Sequence, residues 1–335
     1  MSKPIREVSG VAPGDLTDDI LTATEPLVLR GLAASWPMVQ AALASERGGD
    51  AYLRRFYRGA TVGALLAPPE VAGRYFYNEA LNGFNFYPPV QATLLQVLDE
   101  IEAKRHQQPA PAIYVGSTTL DAVLPGFRAH NDLDLGGRDA LASIWIGNRS
   151  RIAAHYDVPD NVAVVAAGRR RFTLFPPEQL ANLYIGPLDF TPAGQSISLV
   201  DFQQPDLARF PRFATALAHA QTAELGAGDA LFIPSMWWHH IEALEPFNVL
   251  VNYWWRQSPG WMDSPIDTLM LAFLTLRDLP PAQRAAWQEI FRHYVFEADE
   301  QTAAHIPPAA RSVLAPLDEN GARMLRAQIL KKLNR

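Results

Sequence analysis

The chain has 335 residues, of which 48% are hydrophobic and 19% charged; that is enough apolar side chain for a large buried core and excludes a disordered protein. A formal net charge of -6 argues against a broad phosphate-binding surface, so nucleic acid is not an expected partner. Cysteine is absent, which excludes disulfides and thiolate zinc sites and leaves His, Asp and Glu to hold any metal.

The opening MSKPIREVSGVAPGDLTDD has no apolar stretch of the secretory kind, and the apolar run Leu269 to Leu276 is too short to span a bilayer. A soluble, cytoplasmic protein with no membrane partner is therefore expected. In EPLVLRGLAASWP, Leu27 to Leu29 reads as a strand before a Trp-Pro stop, and residues 38–66 alternate in a helix-like way. The aromatic stretch 71–90, with Asn-Gly at its middle, predicts a hairpin, which we read as structural rather than as a roof over a site. Thr93 to Lys104 predicts a helix closed by Pro109 and Pro111.

Ile113 to Val115 and a Gly/Asp-rich loop, GFRAHNDLDLGGRD, precede a series of strand signals: SIWIGN, RIAAHYD, NVAVVAA, RRFTLF, ALFIP, WWHHIEAL and NVLVNYWW. Short strands with Gly or Pro punctuation imply a sandwich or barrel. Beyond Pro265 the periodicity turns helical, over Ile266 to Leu276, Ala282 to Phe296 and Gly321 to Leu333. The expected fold class is mainly β with helical additions. Its expected parts are an N-terminal α+β extension packing on the barrel (1–110), a β core (111–260) and a C-terminal helical appendage (261–335).

Two motifs carry chemistry. In AAHYDVPDN, His155 and Asp157 stand two apart, a spacing that puts an imidazole and a carboxylate on one face of an extended segment. In LGAGDALFIPSMWWHHIEAL, Gly228-Asp229 is a tight turn feeding a strand that Pro234 ends, and a histidine pair follows. Neighbouring strand residues face opposite ways, so one of His239 and His240 can point inward. The spacing of Gly, Pro and His resembles the second cupin motif, and that register selects His239. Two histidines and one carboxylate form the facial set associated with non-haem iron(II) oxygenases, which leaves coordination positions open. His130-Asn131-Asp132 is also a His-x-Asp, but it sits in the Gly/Asp-rich loop and reads as a solvated turn.

With AHYD at 154–157, Asn161, FPPEQL at 175–180, PSMWWHHIEAL at 234–244 and VNYWW at 251–255, the chain resembles the JmjC-type, cupin-like (cupin_8) 2-oxoglutarate oxygenases. The likeness is greatest to the branch containing the hypoxia-inducible-factor asparagine hydroxylase. The resemblance implies a double-stranded β-helix (cupin/jelly-roll) core and Fe(II) held by His155, Asp157 and His239, the catalytic set. It also implies 2-oxoglutarate as co-substrate, with Tyr114 and Arg170 on its distal carboxylate and Asn161 and Asn252 near its metal-bound end. Period-2 spacing turns Arg170 inward with Phe172 and Leu174, leaves Arg169 and Arg171 outside, and puts Leu250, Asn252 and Trp254 on one face. Trp254 by this register walls the pocket.

Where that branch has lysine and threonine, this chain has Arg170 and Ile152, which keeps a carboxylate-binding cation but removes a hydroxyl donor. The implied function is hydroxylation of a protein side chain or small molecule, coupled to decarboxylation of 2-oxoglutarate to succinate. A metal cupin that does not use 2-oxoglutarate (an isomerase or direct dioxygenase) and a non-catalytic ligand-binding cupin are the alternatives. In the resembling branch C-terminal helices form a dimer, so a homodimer through Leu314, Leu317, Met324, Leu325 and Leu333 is expected.

Overall fold

The computed structural model describes residues 3–192 and 194–334. Its strands, in chain order, are β1 (Lys3–Pro4), β2 (Arg6–Ser9), β3 (Leu27–Arg30), β4 (Thr61–Ala67), β5 (Arg74–Tyr75), β6 (Val90–Thr93), β7 (Ala112–Thr119) and β8 (Leu141–Gly147). They continue as β9 (Ser150–His155), β10 (Asp160–Ala167), β11 (Arg169–Phe175), β12 (Gln221–Gly226), β13 (Ala230–Ile233), β14 (Trp238–Ala243) and β15 (Asn248–Trp255). They form a six-stranded sheet, β1-β12-β11-β14-β9-β5, and a nine-stranded sheet, β2-β3-β13-β10-β15-β8-β7-β4-β6. From β8 onward the chain passes between the sheets at nearly every connection, which is the expected double-stranded β-helix.

Short turns make these crossings. The β10–β11 turn needs Gly168, whose φ is +77°; a Cβ there would lie 2.4 Å from Asn248 Oδ1.

The packing of β10 explains why its sequence is apolar from Val162 to Ala167 rather than alternating. Its odd positions Ala163 and Val165 join Phe172, Leu174, Leu231, Ile233 and Leu250 in a core between the sheets. Its even positions Val162, Val164 and Ala166 join a second core with Met38, Val39, Leu53, Leu94, Leu98 and Ile101. Those partners come from the helices Pro37–Ala44, Gly48–Phe56 and Leu94–Lys104. A strand buried on both faces reads as a continuous apolar run, and each fully buried valine contributes about 1.5–3 kcal/mol. The third of these helices starts as expected: Thr93 and Gln96 form a reciprocal capping box.

Three expectations need correction. Residues 38–66 are not all helical, because Thr61–Ala67 is a strand hydrogen-bonded on both sides, to β6 and β7. Pairing with two neighbours overrides the helical propensity of its Ala and Leu residues. The aromatic stretch does hold a hairpin turn, with Tyr77 bridged to Phe84 and the Asn78 N–H donating to the Gly83 carbonyl (2.8 Å). Its role is not structural alone, since Tyr75 and Phe86 wall the cavity described below.

The His130-Asn131-Asp132 loop is not a solvated turn either. Asn131 is fully buried; its Oδ1 accepts from the Met38 N–H (2.9 Å), and its amide donates to Tyr52 Oη (3.0 Å) and the Phe127 carbonyl (2.9 Å). His130 is exposed and Asp132 is paired with Arg128. The loop also carries a short helical turn, Phe127–Ala129, near its start.

By its internal contacts the chain divides into one unit up to Gln257 and a second from Ser258 onward. The N-terminal 110 residues share the first unit with the barrel and add strands to both of its sheets. The second unit contains the helices Pro265–Thr275, Pro281–Phe291 and Glu319–Leu333. Within that unit Leu317, Leu325 and Leu333 line an apolar groove of about 1210 Å³. No helix among the described residues is long and apolar enough to cross a membrane.

Candidate metal centre

His155 ends β9, Asp157 follows two residues on, and His239 is the second residue of β14, directly paired with His155. One ligand atom from each lies within 4.8 Å of the others, the only such His/Asp/Glu group among the described residues. His239 Nε2 is 3.6 Å from Asp157 Oδ2, and the two imidazole centroids are 4.3 Å apart. The segments carrying the ligands are tied together by hydrogen bonds. The Met236 N–H donates to the Asp157 carbonyl (2.9 Å), the Ser235 N–H to Asp160 Oδ1 (2.9 Å), and Ser235 Oγ to the Val158 carbonyl (2.6 Å). These bonds hold Met236 at φ +67°, a left-handed conformation that a non-glycine residue keeps only when its surroundings fix it.

The imidazoles are oriented alike. His155 Nδ1 lies 2.9 Å from the Ala153 carbonyl oxygen and His239 Nδ1 lies 2.9 Å from that of Trp237. A carbonyl can only accept, so each Nδ1 carries the proton and each Nε2 presents its lone pair. Burial, and next the neighbouring His155, push the His239 imidazole down to about 4, with Asp157 opposing. A neutral imidazole beside a carboxylate is what a divalent cation needs, so the donor set fits a metal.

These ligands open on one end of a cavity of about 360 Å³ between the two sheets. All the co-substrate residues expected from the sequence, Tyr114, Asn161, Arg170, Asn252 and Trp254, line it. Arg170 does turn inward and is buried, whereas Arg169 and Arg171 stay outside, bonded to Glu245 and Glu224. Asn252 donates to Asn161 Oδ1 at 2.7 Å. The Arg170 guanidinium has no carboxylate partner among the described residues, and its Nε makes no hydrogen bond. Burial pushes its pKa down to about 10, with Tyr114 acting the other way. His240, one residue from a ligand, lies on the opposite face against Phe202, with ring centroids 4.6 Å apart.

Sequence reasoning placed Phe172 and Leu250 by alternation and Ile152 through the resemblance alone, and it missed the other parts of the wall. β9 carries a bulge opposite β14, where Ile241 pairs with Ile152 but His239 pairs with His155; this extra residue lets Ile152 and His155 line one cavity although they stand three apart. Trp145, Phe172, Ile241 and Leu250 complete the apolar walls, and Gln195 and Ile197 come from the β11–β12 connection. The odd spacing at Ile152 left no periodic signal, and a long connection leaves none of any kind.

Comparison with known proteins decides the affiliation. The sequence profile of the cupin-like domain matches residues 13–260. The chain belongs to the cupin-like family. The resemblance to the JmjC-type members of that family holds as well. The chain is 35% identical over 133 residues to Lysine-specific demethylase JMJ31 of Arabidopsis thaliana, which is 37% of this chain and 24% of that protein. It is 35% identical over 127 residues to human HSPB1-associated protein 1, covering 37% of this chain and 25% of that protein. Human tRNA wybutosine-synthesizing protein 5 is 35% identical over 114 residues, 34% of this chain and 33% of that protein. The match thus spans 24% to 33% of these relatives' lengths.

Proposed function

We propose that this cupin-like protein is an Fe(II)- and 2-oxoglutarate-dependent oxygenase that hydroxylates a protein side chain or a small molecule. The observation that carries the proposal is the cavity's polarity. One end holds a two-histidine, one-carboxylate set, and the other a buried guanidinium with no counter-anion. An uncompensated buried charge is costly, and an acid bound at that end removes the cost.

His155, Asp157 and His239 would hold the iron on one face. When bound, the iron with 2-oxoglutarate supplies dioxygen activation, the keto-acid losing carbon dioxide and leaving as succinate. Arg170 and Tyr114 would receive the distal carboxylate, which fixes how far the keto-acid reaches toward the metal ligands. Asn161 and Asn252, joined at 2.7 Å, would orient the metal-side end, and Trp254 beside them would wall it. The side chains of Ile152, Phe172, Ile241 and Leu250 exclude water between the two ends.

Cytoplasmic residence and the absence of a nucleic-acid partner remain part of this proposal; the net charge of -6 supports the second. The apolar groove of the C-terminal helices supports a further part, pairing of two copies through Leu317, Leu325 and Leu333. A monomer by sedimentation at micromolar concentration would remove that part. The test of the function is succinate release from labelled 2-oxoglutarate by the iron-loaded protein across peptide and metabolite pools. Substrate-coupled succinate that disappears in His155→Ala supports it. Turnover that survives loss of the triad and of metal overturns it.

A further inference from the structure

The strand registers fix the depth of each residue in the cavity. β8–β9, β10–β11 and β14–β15 join by short turns at one end of the barrel, and the metal-ligand set lies toward the opposite ends of those strands. Along β11, Leu174 pairs with His239, Phe172 with Ile241 and Arg170 with Ala243, so Arg170 lies four residues back from the metal level. On the facing sheet Asn161 pairs with Trp254 at the metal level, whereas Val165 pairs with Leu250, and Leu250 with Trp145. Tyr114 pairs with Gly147 at the turn end and lies tilted against Trp145 with centroids 5.8 Å apart. Arg170, Tyr114 and Trp145 therefore share the end remote from the metal ligands.

That end offers donors and holds no carboxylate. The Trp145 indole N–H is buried and has no partner, like Arg170 Nε. An indole N–H is a donor only and moves with a rigid ring, so an acceptor must come to it. The Tyr75 hydroxyl, which also borders the cavity, is engaged with the Leu65 carbonyl at 3.1 Å. The one acid lining the cavity is Asp157, at the metal end.

We infer that Trp145 is a specificity-determining residue of this site, its indole N–H donating to one oxygen of the distal carboxylate that Arg170 neutralises. The inference rests on the proposed function, in that the acid is 2-oxoglutarate. Trp145 then adds direction to a site whose other walls, Ile152, Ile241 and Phe172, carry no donor.

The test uses the full-length, zinc-loaded protein labelled with ¹⁵N at its 8 tryptophans. It is titrated in parallel with 2-oxoglutarate and with 2-oxobutyrate, which has the same keto-acid head and no distal carboxylate. We expect one indole resonance that 2-oxoglutarate moves downfield and 2-oxobutyrate leaves in place, and that is missing from Trp145→Phe. By calorimetry Trp145→Phe should bind 2-oxoglutarate about tenfold more weakly and 2-oxobutyrate unchanged. The native titration gives its answer even if that variant does not fold.

If Arg170→Met abolishes 2-oxoglutarate binding while no indole resonance separates the two acids, the inference falls and the proposed function stands. Such an outcome would mean that the N–H is directed at the face of Trp254, whose ring plane stands at 86° to that of Trp145 with centroids 5.8 Å apart. If the native protein binds neither acid, the proposed function falls and this inference with it.

Discussion

His155 and His239 face each other across the β9–β14 pair, and each has its Nδ1 2.9 Å from the carbonyl oxygen two residues before it in the chain. The backbone that builds the sheet thus also sets the tautomer of both rings. The site is preorganised for a cation before one arrives, with one ligand atom from each of His155, Asp157 and His239 within 4.8 Å of the others.

Removing any one of the three should therefore abolish metal binding without unfolding the barrel. For His155→Ala, Asp157→Ala and His239→Ala we expect losses larger than the roughly 10–100-fold typical of an outer partner of a metal ligand. Calorimetric titration with zinc or iron(II) measures this. Native-like affinity in two of the three variants would contradict it.

Arg170 should behave oppositely in stability and in binding. Its buried guanidinium has no counter-anion, so Arg170→Met should leave the ligand-free protein as stable as before, or more stable by about 1–4 kcal/mol. The same substitution should erase the thermal stabilisation that 2-oxoglutarate gives the metal-loaded native protein. A variant that is destabilised without ligand yet still stabilised by 2-oxoglutarate would place the acid elsewhere.

The sequence made the barrel and the metal ligands legible for different reasons. β10 was readable because a strand buried on both faces is a continuous apolar run, here Val162 to Ala167, and Thr93 was readable as a helix start, to which the structure adds a capping box with Gln96. His239 was separable from His240 only through the cupin register, since alternation says that one faces inward without saying which. β4 was misread because Ala and Leu favour a helix locally, while hydrogen bonding to β6 and β7 decides the matter from 26 or more residues away. Ile152 was reached only through the family resemblance, since a bulge breaks its period with His155, and the unpartnered Trp145 N–H leaves no sequence trace, because whether a donor is satisfied depends on three-dimensional neighbours.

Acid should destabilise the metal-free protein over a defined range. Burial is the main cause that pushes His240 down to about 4, as it does His239, from an ordinary 6.5. Both folded values lie below the unfolded one, so the unfolded chain takes up protons first as pH falls. Their contribution is fully present above pH 6.5 and is lost toward pH 4, at about 3 kcal/mol for each histidine. Urea unfolding between pH 7 and pH 4.5 should show this, and His240→Leu should remove about half of the slope. An unchanged slope in that variant would contradict the assignment.

Asn131 should matter to stability and not to metal. It makes three hydrogen bonds from a fully buried amide, linking the loop before β8 to Met38, Tyr52 and Phe127. Asn131→Ala strands the Met38 N–H and should cost about 2–4 kcal/mol in denaturant unfolding, while zinc affinity in the folded protein stays native. A loss of under about 0.5 kcal/mol would mean that water replaces the amide.

The central claim is that one cavity binds iron(II) at the His155, Asp157 and His239 end and 2-oxoglutarate between that metal and Arg170. It is tested most directly by anaerobic titration of the metal-free protein with iron(II) and then 2-oxoglutarate, following visible charge-transfer absorption, with Arg170→Met in parallel. The account predicts a band in the native protein that saturates with one equivalent of 2-oxoglutarate and requires far more in Arg170→Met. Iron binding with no band on adding 2-oxoglutarate would contradict it and leave a metal cupin of another reaction class.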